Sequence, residues 1–207
     1  MFSQRLDVKG CSRTDSGVHA NMYCLTLKTD MSISCEGVVL ALNTKLPDDI
    51  SVIDCREVSE DFHPRYSCKS KEYVYKLYNG RIRNPFYAKY AYHYRYKIDA
   101  EYLNKECKAY IGTYDYSGFC SSKSDVEDTV RTVRNFEVWR EDDMVCFRVE
   151  ADGFLYNMVR IMVGTLLFVA EGKIKEGELI NVIKSKDRKK AGKTAPPQGL
   201  YLNRIHY

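Results

Sequence analysis

The sequence predicts an α+β protein in two halves that each mix strands with helices. Three observations carry this. Hydrophobic residues make up 44% and charged residues 29% of the 207 residues, the balance of a globular chain able to bury a core. Stretches alternating with period two recur beside stretches of helical period, each bounded by turn residues. The order of these stretches allows a boundary near Ile98, giving halves of residues 1–98 and 99–207 with no low-complexity linker between them.

In the first half, Val18 to Lys28 alternates and follows the Asp15-Ser16-Gly17 turn, so it reads as a strand. Ser34 opens a helix through Leu42. Ile50 to Val58 and Glu72 to Tyr78 read as further strands, the second closed by the turn pair Asn79-Gly80. In the second half, Asp99 is an N-cap for a helix to about Tyr110, stopped by Gly112. Thr129 to Arg140 and Met144 to Glu150 form a hairpin. A helix from Phe154 to about Glu171 ends at Gly172, a shorter one follows from about Lys175 to Ile183, and Leu200 to His206 makes a final strand.

Composition excludes several classes. The longest apolar stretch, Phe154 to Ala170, contains Asn157 and Arg160 and reads as a buried helix, so no membrane span is expected. The eight cysteines are scattered with no Cys-x-x-Cys pair, which fits neither a zinc site nor a dense disulfide framework. With no signal peptide at the N-terminus, reduced thiols in a cytoplasm are expected. Four scattered histidines give no metal-ligand spacing. The net charge is only +4, but cations crowd into Lys184, Lys186, Arg188, Lys189, Lys190 and Lys193. Such a run is either a solvated face or a surface for an anionic partner. Seventeen tyrosines favour a nucleic acid, because rings interleaved with cations can stack on bases while the cations pair with phosphates.

The densest chemical signal is Arg13-Thr14-Asp15-Ser16-Gly17-Val18-His19-Ala20. Asp-Ser-Gly is commonly a plain turn, since Asp bonds its own backbone and Gly supplies positive φ. It is also the tripeptide of aspartic proteases, but no second copy exists and only a homodimer could supply two carboxylates. Arg160 stands among Met158, Val159, Ile161, Met162 and Val163. A cation buried in such a helix is costly unless an acid pairs with it; the other outlet is to snorkel to solvent.

The stretch Ser12 to Ala20 closely resembles the Gly-Arg-Thr-Asp-Ala-Gly-Val-His-Ala signature of TruA-type tRNA pseudouridine synthases, with Ser12 and Ser16 in place of the usual Gly and Ala. Three further blocks fit the same family in order. They are Asp61 to Ser67 with Lys71 to Tyr75 and Tyr78-Asn79; Gly153 to Arg160 with Val163 to Leu166; and Ala191 to Pro197 with Gly199 to Leu202. The resemblance implies the pseudouridine synthase fold, two halves each with an antiparallel sheet backed by helices and an RNA cleft between them. It implies isomerisation of uridine at positions 38–40 of the tRNA anticodon arm, by a homodimer that one tRNA spans.

By the same resemblance Asp15 is the catalytic carboxylate, acting either as a nucleophile at C1′ or as a base at the C2′ proton. The reaction has no redox step and no phosphate input, so no cofactor is expected. Tyr73 matches a tyrosine placed against the target base, and is otherwise an ordinary strand tyrosine. Arg13 matches a residue implicated in flipping the nucleotide out, or else contacts phosphate. Arg160 matches the arginine beside the catalytic aspartate. Arg65 and Lys71 are expected as RNA contacts, and His19 and His63 receive no chemical role. Only Met1 to Gly10 precede the signature, where the family has a strand and helix carrying Tyr-Asp-Gly and Gly-Trp-Gln motifs. A bare edge and exposed apolar side chains are therefore expected in the first-half sheet. An RNA-binding protein of the same fold without catalysis is the alternative of another class.

Overall fold

Strong local signals set most elements of the computed structural model, which describes residues 6–121 and 127–207. In chain order the elements are β1 (Val8–Gly10), β2 (His19–Ala20), β3 (Leu25–Leu27), α1 (Cys35–Asn43), β4 (Ser70–Tyr78), β5 (Tyr92–His93), α2 (Ala100–Glu106), β6 (Gly112–Asp115), β7 (Val130–Glu141), β8 (Met144–Ala151), α3 (Met158–Ala170), α4 (Leu179–Ser185) and β9 (Leu200–His206). Contacts divide them into two units, one of residues up to Ser12 with Cys24–Cys68, the other of Arg13–Tyr23 with Lys69–Tyr207.

In the smaller unit β1 and β3 pair antiparallel, with Val8 opposite Leu27 and Gly10 opposite Leu25. Ser34 caps α1, its hydroxyl accepting from the Gly37 N–H at 3.1 Å. The segment expected as a strand at Ile50 to Val58 is not one. Its backbone meets a side chain instead of a neighbouring strand: Asn43 Nδ2 donates to the Val52 carbonyl and Asn43 Oδ1 accepts from the Val52 N–H, both at 2.8 Å. Apolar side chains here stand in the open, with Leu40 64% and Ile53 80% exposed, and α1 buries none of its residues.

The larger unit holds one seven-stranded sheet in the order β2-β9-β4-β8-β7-β6, with β5 joining β4 beyond the end of β9. The stretch expected as one strand from Val18 to Lys28 is broken. Its first part pairs parallel with β9, and its second belongs to the smaller unit as β3. The break follows Ala20, where the Asn21 N–H donates to the Leu202 carbonyl at 2.8 Å and Asn21 Nδ2 to Asn203 Oδ1 at 2.8 Å. The expected sheet of Val18–Lys28, Ile50–Val58 and Glu72–Tyr78 is therefore replaced by β4 lying between β8 and β9. The single sheet draws β2, β4 and β5 from residues 1–98 and β6 to β9 from residues 99–207.

The core lies on the face of this sheet that meets the helices. Tyr75, Leu77, Phe136, Phe147 and Val149 are buried from the sheet side, and Ile161, Met162 and Leu166 from α3. The Tyr110 ring stacks on Phe136 at 5.2 Å and its hydroxyl donates to the Met162 carbonyl, tying α3 to the segment after α2. Asp99 caps α2 through the Tyr102 N–H at 3.0 Å, as its sequence predicts. α3 starts at Met158 rather than Phe154 because Asn157 takes the left-handed conformation, φ 63°. Among the described residues no helix is long and apolar enough to cross a membrane.

Candidate active site

The site grows from the Asp15-Ser16-Gly17-Val18 turn of the larger unit. The Val18 N–H donates to the Asp15 carbonyl at 3.0 Å, and Gly17 sits third in the turn at φ 82°, a conformation that glycine adopts without a Cβ clash. Beyond the turn, β2 pairs in parallel with β9, so that Ala20 faces Leu202 and Leu202 in turn faces Tyr73 of β4. Tyr73 thus stands two strand spacings, roughly 9.5 Å, across the sheet from the strand that leaves the turn. The register slips between Glu72 and Tyr73, with Asn203 left over on β9. Asn203 fills that bulge by donating to Glu72 Oε1 at 2.6 Å and accepting from Asn21.

The acid that Arg160 requires is Asp15. Arg160 Nη1 donates to Asp15 Oδ2 at 3.0 Å, and the two side chains are 14% and 34% exposed. The same nitrogen donates to Asn157 Oδ1 at 2.6 Å, and Nε donates to the Ala195 carbonyl at 2.7 Å. The Ala195 N–H returns a bond to the Arg160 carbonyl at 3.0 Å. The guanidinium is therefore held by three acceptors from three segments, which fixes its plane as well as its position. Asn157 is oriented in turn by its left-handed backbone and by Nδ2 donating to Ser121 Oγ at 2.9 Å.

Backbone against backbone supports this anchor. A Cβ on Gly164 of α3 would lie 1.7 Å from the Lys193 carbonyl oxygen, and one on Gly192 would lie 2.2 Å from the Gly164 oxygen. The Gly192 N–H donates to the buried Thr165 hydroxyl at 2.8 Å, and Tyr75 Oη donates to the Pro196 carbonyl at 2.8 Å. Burial pushes the Tyr75 phenol above its ordinary range, so it stays a donor there.

Tyr73 is 7% exposed and meets the Phe154 ring edge-on at 5.0 Å. Lys71 lies half-buried two residues earlier on β4, and Arg13 is exposed two residues before Asp15. Arg65 lies in the smaller unit, its guanidinium 5.8 Å from the Tyr66 ring centre, its N–H on His63 Nδ1 at 3.1 Å. His63 Nδ1 also receives the Tyr66 N–H, so that ring shapes its own turn. His19 stacks between Tyr201 at 4.7 Å and Tyr90 at 5.5 Å, with Nε2 2.8 Å from the Lys89 carbonyl.

The basic run near residue 190 is partly engaged within the chain. Lys186 pairs with Asp115 at 2.9 Å, and Arg188 donates to the Gly192 carbonyl and the Thr194 hydroxyl. Asn157, Ala195 and the two crossing glycines were not singled out by sequence reasoning. Three of them, Ala195, Gly164 and Gly192, contribute through the backbone, a role that no side chain announces. The signal for Asn157 was an asparagine, which tolerates the left-handed conformation, inside the first turn expected of the helix from Phe154.

A carboxylate held by a rigid guanidinium, with part of its surface open, can act as a base or a nucleophile on a bound substrate. A family model described as tRNA pseudouridine synthase matches residues 107–207. The chain is 46% identical over 204 residues to tRNA pseudouridine synthase A of Thermoanaerobacter sp. (strain X514), covering 99% of this chain and 84% of that protein. It is 45% identical over 202 residues to the tRNA pseudouridine synthase A of Caldicellulosiruptor saccharolyticus, covering 98% and 83%. It is 44% identical over 200 residues to that of Geobacillus sp. (strain WCH70), covering 97% and 81%. With likeness of that order along nearly its whole length, and with the signature aspartate turned onto a fixed arginine, the chain belongs to the tRNA pseudouridine synthase A family.

Proposed function

We propose that this protein converts uridine to pseudouridine at positions 38–40 of the tRNA anticodon stem-loop, with Asp15 as the catalytic carboxylate. The observation that carries the reading is the Asp15–Arg160 pair. It keeps one carboxylate oxygen on the guanidinium while the side chain remains 34% exposed, open to a nucleotide. In the reaction the N1–C1′ bond breaks, the base turns, C5 bonds to C1′, and the C5 proton leaves to solvent as N1 gains one. Asp15 serves this either by attacking C1′ or by removing the C2′ proton. Arg160 holds the carboxylate and aims it. Tyr73 presents its ring to the base, Arg13 assists the flipping of the nucleotide, and Lys71 and Arg65 contact the RNA. The protein acts as a cytoplasmic homodimer; eight unbridged cysteines support a reducing compartment.

The test is tRNA carrying tritium at uridine C5. The wild-type chain should release tritium to water, and Asp15→Asn should abolish release while keeping tRNA binding within about tenfold, because binding rests mainly on phosphates. Turnover by that variant would refute the assigned role, and binding without release by the wild type would leave an RNA-binding protein without catalysis.

A further inference from the structure

The strand that carries Tyr73 runs on into a segment of unusual composition. From Arg81 to Lys97 there are five Lys or Arg, six aromatic residues and no Asp or Glu, in a chain whose 28 acids would place about two in such a length. Arg81, Arg83, Lys89, Arg95 and Lys97 are all exposed. So are large apolar side chains that a folded chain ordinarily hides, with Phe86 85%, Ile82 76%, Tyr96 56% and Tyr90 54% exposed.

This segment is built rather than loose. Asn84 Oδ1 accepts from the Phe86 N–H at 3.0 Å, opening a short 3₁₀ turn over Pro85–Tyr87 with proline at its start. The Tyr90 and Ala91 N–H groups both donate to the Tyr87 carbonyl at 2.9 Å, and the Tyr87 ring packs 5.2 Å from Tyr78. Its middle is fastened to the strands beside the catalytic turn. Tyr201 Oη donates to the Tyr90 carbonyl at 2.7 Å, and His19, four residues beyond Asp15, lies between the rings of Tyr90 and Tyr201.

We propose that this loop, residues 81–97, is an RNA-docking platform that receives the tRNA occupying the Asp15 site, its cations on phosphates and its bare rings, Phe86 foremost, on unpaired bases. The proposal rests on the tRNA reading above. A fixed backbone with outward rings suits stacking, because little order remains to be lost on binding. Charge decides the partner. A second copy meeting this loop about a twofold axis would bring cations against cations with no acid in the loop to answer them, whereas a polyanion neutralises all five.

The experiment measures tRNA affinity over a salt series for the wild type, for Phe86→Ala and for the double variant Arg81→Ala with Arg83→Ala, alongside tritium release, sedimentation and thermal melting. Phe86→Ala should weaken binding about five- to a hundredfold, the range for removing a ring from a stacked base. Its melting temperature should stay that of the wild type, since the ring buries little surface. The double variant should reduce the slope of log affinity against log salt by about one to two. Unchanged affinity and slope in both variants, in a chain that binds tRNA and releases tritium, would overturn the platform and leave the enzyme reading standing. A Phe86→Ala protein that sediments as a smaller species with unaltered affinity per site would overturn it too, giving the loop to a contact between copies. A wild type that binds tRNA but releases no tritium would sink the assigned reaction, with the platform still decided by the affinities.

Discussion

Replacing Gly164 by alanine should damage both stability and rate, although helix propensity alone argues the opposite. In the interior of a helix, Gly→Ala ordinarily stabilises by about 1 kcal/mol. Here the added Cβ would lie 1.7 Å from the Lys193 carbonyl oxygen, and ordinary contact begins at 3.4 Å, so the two backbones must part by about 1.7 Å. That motion strains the Gly192 N–H bond to Thr165 and both Arg160–Ala195 bonds. Three hydrogen bonds at about 0.5–1.5 kcal/mol each, one of them to a charged group, together with overpacking of about 1–3 kcal/mol, outweigh the propensity gain several-fold. A net loss of about 3–5 kcal/mol corresponds to a drop in Tm of roughly 6–20 °C for a chain of this size. The rate should fall further than stability explains, because a misplacement near 1 Å in catalytic geometry costs about a hundredfold. Thermal melting and single-turnover tritium release, at a temperature where the variant is folded, measure the two effects separately. Gly172→Ala is the control, with φ 71° but nothing within 4 Å of its Cβ, so it should lose stability through the backbone alone and keep its rate. A Gly164→Ala protein melting within about 2 °C of the wild type and turning over within twofold would refute the reasoning.

Arg160→Lys keeps the charge but cannot reach Asp15, Asn157 and the Ala195 carbonyl together, so single-turnover release should fall by about a hundredfold or more; a loss under threefold would show that charge alone suffices. Asp115 is held well below the usual carboxylate range, first by the Thr129 hydroxyl and then by Lys186. A depressed folded pKa contributes stability above the unfolded value, near pH 4, and that stability is lost as pH falls toward the folded value. Asp115→Asn should therefore be less stable than the wild type by about 1–3 kcal/mol at neutral pH, with the gap closing below about pH 4 in denaturant titrations; a pH-independent gap would contradict this.

Much of the fold was legible because its signals are local. Ser34 and Asp99 announced α1 and α2, and alternation marked β4, the hairpin of β7 with β8, and β9. What could not be read was decided by partners far away. Val18 to Lys28 alternates throughout, yet Asn21 turns its bonds onto β9 and splits the stretch between two units. Ile50 to Val58 has strand composition, but Asn43 satisfies the backbone of Val52 with its side chain. Arg160's need for an acid followed from its apolar neighbours, whereas Ala195 holds it with a backbone carbonyl, a role that its place in the Ala191 to Pro197 block does not announce. Counting cations near residue 190 failed to see that Lys186 and Arg188 already had partners.

The seam between β2 and β9 joins Asn21 to Asn203, 182 residues apart, and the ion pair joins Asp15 to Arg160 across 145. Closing loops of that length costs more chain entropy than forming the local turns and the hairpin. The carboxylate turn has too little structure of its own to be held in place beforehand. Helices and hairpin alone therefore make no competent site, since the carboxylate and the guanidinium that holds it come from segments far apart in the chain.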